Sequence, residues 1–243
     1  MERWNGIRRG AQEALSQRDY STGGLLERLA TSGVAAGDLM GADRASLGAG
    51  WIPGVELVPR KIYRQKHRGF FGEFSREGEG VLGALGIWPK QWATARMYAG
   101  SAKGFHIHPP HVPEGWSAQA WNRRLFGPEA APVSERPYDM EQWDVMFFVQ
   151  GNVEMILVDE REGLERRVMR MSLEGDDSGG SCHCGVVIPA GVAHALCVEG
   201  SEDAIMVYGT TTRFDPGAEG RIADGIERHA LPAEWLAYLG QTR

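Results

Sequence analysis

The sequence predicts an all-β domain (a sandwich, barrel or jelly roll) with a short helical segment at each end. Three observations predict it. From Trp51 onward, short apolar stretches of strand length follow one another as far as Thr212. Gly, Pro, Asp and Asn separate them, which are the residues that break strands and form turns. The composition, 42% hydrophobic and 24% charged over 243 residues, is that of a chain with enough apolar surface to build a core.

Residues 1–50 read differently from the rest. "AQEALSQ" and "GLLERLA" carry apolar residues at helical spacing, Ser21 or Thr22 can cap the second, and Gly33 can end it. This stretch is expected to be a helical N-terminal extension packed on the main domain or on a partner subunit. The β-domain is expected over residues 51–217. Its strands are read at "VELVPRKIY", "GFFGEFS", "WATARMYAG", "GFHIH", "VMFFVQ", "NVEMILVD", "LERRVMRMSL", "GVVIP", "HALCVEG" and "AIMVYGTTT". Gln150-Gly151-Asn152 reads as a tight hairpin turn between two of them. Gly78, Gly80 and Gly83 spell a dinucleotide-type glycine pattern. Its context lacks the strand before and the helix after, so these glycines are expected to serve turns or close strand contacts. Residues 109–143, with Trp116, Trp121, Arg123, Arg124 and Trp143, form a long insertion, placed either as a lid over a site or as a surface excursion or oligomer contact. After the domain, residues 218–243 form a tail in which "LPAEWLAYLG" reads as a terminal helix, with Pro232 in its first turn and Gly240 beyond its end.

Charge and composition limit the partners. A net charge of −6 and a pI near 5.7 argue against a nucleic-acid or anionic-membrane surface, which would require a basic face. No apolar run is long enough to span a membrane, and "MERWNGIRRG" lacks the apolar core of a signal peptide. Three cysteines, Cys182, Cys184 and Cys197, without a secretion signal, suggest reduced thiols and a cytoplasmic location. Cys182-His183-Cys184 lacks a second ligand pair for a structural zinc and reads as part of a solvated loop.

The chemistry-bearing residues centre on "GSAKGFHIH". His106 and His108 are two apart, so on a strand their imidazoles share a face. Two imidazoles at this spacing form half of a metal site. Asp144, at the start of an apolar run, and His194, in "IPAGVAHAL", offer the other half. Glu114 and His111 are alternatives to Asp144.

These residues resemble the two motifs of the cupin family. Gly100, His106, His108, Asp144 and Gly151 match the first, and Pro189, Gly191 and His194 match the second. The carboxylate is Asp where the family usually has Glu, and it lies beyond the 109–143 insertion; His183 stands where the second motif begins with Gly. The resemblance implies a double-stranded β-helix, or jelly roll. With it comes a divalent transition metal (Fe, Mn, Ni or Zn) held by His106, His108, Asp144 and His194.

Residues 53–220 also look like the dTDP-4-dehydrorhamnose 3,5-epimerase family. The stretches that carry this likeness are "VELVPRKIYRQKHRGFFGEF", "KGFHIH", "GNVEMILVDER", "IPAGVAHAL" and "MVYGTTTRFDPGAEG". This resemblance implies His106 as catalytic base, Tyr208 as acid, and Arg68 and Glu73 as nucleotide-binding residues. It also implies a homodimer in which N-terminal strands reach the neighbour's site. Lys103 stands for the Arg of its His motif and is a further substrate-binding candidate. Asp144 stands where that family has its catalytic Lys, and His108 where it has Gln. The two changes together restore a metal-ligand set. The expected function is therefore a metal-dependent cupin enzyme of isomerase or epimerase type, using the metal as Lewis acid on a small, sugar-like substrate. Three alternatives accompany it: an Fe(II) dioxygenase, a metal-free nucleotide-sugar 3,5-epimerase with His106 as base, and a non-catalytic sugar-binding cupin.

Overall fold

Two sheets face each other across an apolar core. The structure, a computed structural model, describes residues 34–35, 50–108, 115–117, 120, 142–161, 164–180, 183–214, 220–221 and 239. The first sheet contains β1 (Val34–Ala35), β6 (Ala102–Ile107), β8 (Asn152–Asp159), β9 (Val168–Glu174), β11 (Val192–Glu199) and β13 (Gly220–Arg221), in the order β1-β9-β8-β11-β6-β13. The second contains β2 (Glu56–Arg60), β5 (Gln91–Met97), β7 (Asp144–Gln150), β10 (His183–Ile188) and β12 (Ala204–Thr210), in the order β2-β10-β7-β12-β5. A separate hairpin pairs β3 (Ile62–Gln65) with β4 (Gly69–Gly72). The arrangement is a cupin-type jelly roll.

Strand periodicity explains how the core is built. Along β8, Met155 and Leu157 point between the sheets, while Ile156 and Val158 point outward. Along β7, Met146 and Phe148 point inward, while Val145 and Phe147 point outward. Both outer faces are covered as well. Leu239 packs on the six-stranded sheet, and Leu82 and Ile87 pack on the five-stranded one. A strand buried on both faces needs a continuous apolar run, which is why "VMFFV" and "VEMILV" barely alternate. Each such side chain contributes roughly 1.5–3 kcal/mol of burial.

Two sequence expectations change here. Gln150-Gly151-Asn152 is not a hairpin: β7 and β8 lie in different sheets, and the chain turns a corner between them. Gly151 makes the corner possible, because its φ is +74° and a Cβ there would lie 2.6 Å from the Asp203 carbonyl oxygen. The Gly78–Gly83 pattern opens a short helix, α1 (Gly80–Leu85), instead of serving turns alone. Within it, Gly83 lets the helix approach Gly78, whose backbone would lie 2.3 Å from a Cβ at 83. No strand runs directly into α1, since β4 ends at Gly72, so the dinucleotide reading stays excluded.

The helices expected in "AQEALSQ", "GLLERLA" and "LPAEWLAYLG" lie outside the described residues, apart from Leu239, as do Cys182, His111, Glu114, Trp121, Arg123 and Arg124. Within residues 1–50, Val34–Ala35 add a parallel strand beside Met171–Ser172 of β9. Among the described residues, no helix is long and apolar enough to cross a membrane.

Candidate active site

A cavity of about 160 Å³ opens between the two sheets. Strands β6 and β11 supply one wall, with Lys103, His106, His194 and Leu196. The facing wall comes from β5, β7 and β12, with Gln91, Asp144, Met146, Met206, Tyr208 and Thr210. His108, just past β6, and Gln142, just before β7, complete it, and Phe214 stands at the rim with 56% of its surface exposed.

Lys103 and His106 are three residues apart, so a regular strand would send them to opposite faces. Opposite β6, His194 pairs with His106 and Leu196 pairs with Lys103. Two steps on β11 therefore match three on β6, a bulge that brings both side chains to the cavity. Gly104 sits in it at φ +122°, and a Cβ there would lie 2.7 Å from the His194 carbonyl oxygen. His106 and His194 lie with ring centroids 5.9 Å apart, and His108 and His194 5.7 Å apart.

Asp144 is the centre of a buried polar network. His108 Nε2 donates to its Oδ2 at 3.0 Å, and Gln142 Nε2 donates to its Oδ1 at 3.0 Å. His194 Nε2 is 3.6 Å from the same Oδ2. The Gln142 carbonyl in turn accepts the Thr212 hydroxyl. Burial alone would raise the Asp144 carboxyl. The charge and hydrogen bond of His108, the charge of His194 and the Gln142 amide outweigh it and hold the group below its ordinary range. His194 moves the other way. Burial pushes its imidazole down to about 4 against the opposing pull of Asp144, with His108 and Lys103 adding to the depression. His194 is therefore neutral near pH 7, and its Nδ1 faces the Val192 carbonyl at 3.4 Å.

Of the four expected ligands, His108, Asp144 and His194 gather, with one ligand atom of each within 4.8 Å of the others; His106 is not in this group. The set fits a cation poorly. Both Asp144 oxygens accept hydrogen bonds, and the Gln142 amide nitrogen lies 3.0 Å from His108 Nε2, where a shared ion would need open lone pairs. Arg68 and Glu73 do not line the cavity. Arg68 stands at the exposed turn of the β3–β4 hairpin, and Glu73, just beyond it, pairs with Arg76 at 2.9 Å. Gln142, Thr212, Gln91 and Phe214 were not anticipated. Gln142 alone had a signal, being two residues from Asp144 and so on its face.

No protein-family model matches the chain. It is 26% identical over 166 residues to the spore coat polysaccharide biosynthesis protein SpsL of Bacillus subtilis (strain 168), covering 68% of this chain and 83% of that protein. Among solved structures, it is similar to a dTDP sugar isomerase from Desulfovibrio desulfuricans G20, at 12% identity and a TM-score of 0.52, covering 71% of this chain and 86% of that one. It is likewise similar to the dTDP-6-deoxy-D-glucose-3,5-epimerase RmlC from Legionella pneumophila Philadelphia 1, at 22% identity and a TM-score of 0.51, covering 76% and 87%. The fold is the one those sugar enzymes use. RmlC-type epimerases are metal-independent, and this overturns the expected divalent transition metal. The three-residue cluster is instead a hydrogen-bonded network.

Proposed function

We propose that this protein is a metal-free nucleotide-sugar epimerase or isomerase acting beside a keto group. One observation carries the reading: His106 and Tyr208 project into one cavity from opposite sheets. Inverting a carbon centre requires a base on one face of the ring and an acid on the other. His106 removes the proton from the carbon adjacent to the carbonyl. The C–H electron pair moves into the ring as an enolate. Tyr208 then delivers its hydroxyl proton to the opposite face, and solvent restores both groups.

The enolate oxygen needs a positive partner. Asp144 stands at the position where the resembled epimerases carry lysine, but Lys103 lies on the same cavity wall as His106 and supplies the charge. Size supports a sugar ring as the reacting part. A cavity of about 150 Å³ accommodates one benzene ring, so about 160 Å³ accepts a single six-membered ring and leaves the nucleotide outside. Phe214 at the rim offers that nucleotide an aromatic face. Exposed Tyr63, Phe70 and Phe71 on the β3–β4 hairpin, together with Arg68, suit the homodimer in which this hairpin reaches a second copy's site.

The test is incubation with a dTDP-4-keto-6-deoxy sugar in deuterated water, followed by proton NMR. Deuterium should enter the carbons flanking the keto group. Absence of exchange across a panel of nucleotide keto-sugars would leave binding alone as the function.

A further inference from the structure

Thr210 ends β12 and Thr211 and Thr212 follow it directly, all three residues buried at 6% exposure or less. Buried hydroxyls need partners, and these three use theirs to hold the segment entering β7. Thr211 Oγ1 accepts from the Trp143 backbone N–H at 2.8 Å, and its own N–H donates to the Trp143 carbonyl at 3.0 Å. Thr210 Oγ1 donates to the Thr212 carbonyl at 2.7 Å, shaping the turn that aims Thr212. Thr212 Oγ1 donates to Gln142 Oε1. That bond settles which way the Gln142 amide points, since its oxygen must face the hydroxyl. Its NH₂ is then left to face Asp144 Oδ1 at 3.0 Å. Asp144 is 3% exposed and Gln142 3%.

Asp144 is the one carboxylate lining the cavity among the described residues, and Lys103 the one Lys or Arg. An anionic enolate forming there would be repelled by a carboxylate free to turn toward it, and Lys103 would be drawn off as that carboxylate's partner. We propose that Thr212 and Gln142 are positioning residues: they hold Asp144 against His108, so that its charge is absorbed by fixed donors and Lys103 stays available to the substrate. This rests on the epimerase reading for its kinetic consequence, but the arrangement itself can be measured without substrate. His108 Nε2 lies 3.0 Å from both Asp144 Oδ2 and the Gln142 amide nitrogen; with the amide's hydrogen committed to Asp144 Oδ1, Nε2 must carry a proton to meet the carboxylate, and this sets the His108 tautomer.

The experiment has two arms. The first is ligand-free: long-range ¹H–¹⁵N NMR of the full chain, with His108 assigned by its loss in His108→Asn. The inference expects the Nε2 of His108 to carry its proton at neutral pH in the wild type, and expects this signature to weaken in Thr212→Val and Gln142→Leu but persist in Thr212→Ser, which keeps the hydroxyl. A wild-type His108 protonated on Nδ1 alone overturns the inference, whether or not any variant folds. The second arm is kinetic. Thr212→Val should lower kcat about tenfold with KM little changed, and Thr212→Ser should restore most of it. In an Asp144→Asn background the same Thr212→Val change should cost much less, because the charge it controls is gone. Equal loss in both backgrounds, or a Thr212→Val variant with wild-type kcat and unaltered His108 signals, overturns the proposal. If no keto-sugar is turned over, the epimerase reading fails, and the NMR arm still decides the positioning.

Discussion

Lowering the pH should destabilise this protein through the buried imidazole of His194. His194 is 5% exposed, and burial pushes it down to about 4. In the unfolded chain it returns to about 6.5. Between those values the unfolded state binds the proton and the folded state does not, so stability falls as the pH drops through this window. The contribution is complete above about pH 6.5 and is lost progressively toward pH 4. Worked from the two values, moving from pH 7.5 to pH 5 costs about 2 kcal/mol, and reaching pH 4 costs about 3 kcal/mol. Asp144 does not share this window, because its folded carboxyl is held below its ordinary range and its stabilisation is lost only as pH falls further. The assay is urea denaturation followed by circular dichroism at pH 7.5 and pH 5, in the wild type and in His194→Gln. The wild type should lose about 2 kcal/mol more than the variant between the two conditions. Equal losses would refute the reasoning and place a charged or solvated imidazole at position 194.

Other consequences follow from the same contacts. Asp144→Ala leaves the His108 and Gln142 donors buried without their acceptor, and should destabilise the fold by about 2–5 kcal/mol at pH 7 in the same denaturation assay. Asp144→Asn keeps an acceptor for one of them and should cost clearly less; a reversed order would contradict the network. For the homodimer, light scattering at micromolar concentration should give twice the chain mass, and Phe71→Glu on the exposed hairpin should lower it toward a monomer. A wild-type monomer would remove the hairpin from any role in a second copy's site.

The β-architecture was legible because the apolar stretches are short, closely spaced and separated by turn residues. The placing of His106 and His108 was legible because strand parity follows from residue number alone. What escaped was set by events that parity cannot register. The bulge at Gly104 turns Lys103 to the same wall as His106, and sequence spacing would send it to the opposite face. Gly151 looks like a hairpin glycine, yet the same positive φ serves a corner between sheets, and only the pairing of β8 with β9 and β11 distinguishes the two. The carboxylate at 144 was expected as a ligand because it completes the cupin motif with His106, His108 and Gly151. In the structure it accepts from His108 and from Gln142, and Gln142 is held by a hydroxyl seventy positions further along the chain, Thr212, which no local motif connects to it.

In the proposed reaction, side chains alone transfer the proton at carbon. Its most direct measurement is deuterium incorporation into a nucleotide 4-keto sugar in deuterated water with excess chelator present, comparing the wild type with His106→Gln and Tyr208→Phe. Wash-in should be indifferent to the chelator, absent in His106→Gln, and uncoupled from inversion in Tyr208→Phe. Wash-in that persists in His106→Gln, or that stops with the chelator and returns with added metal, would contradict it.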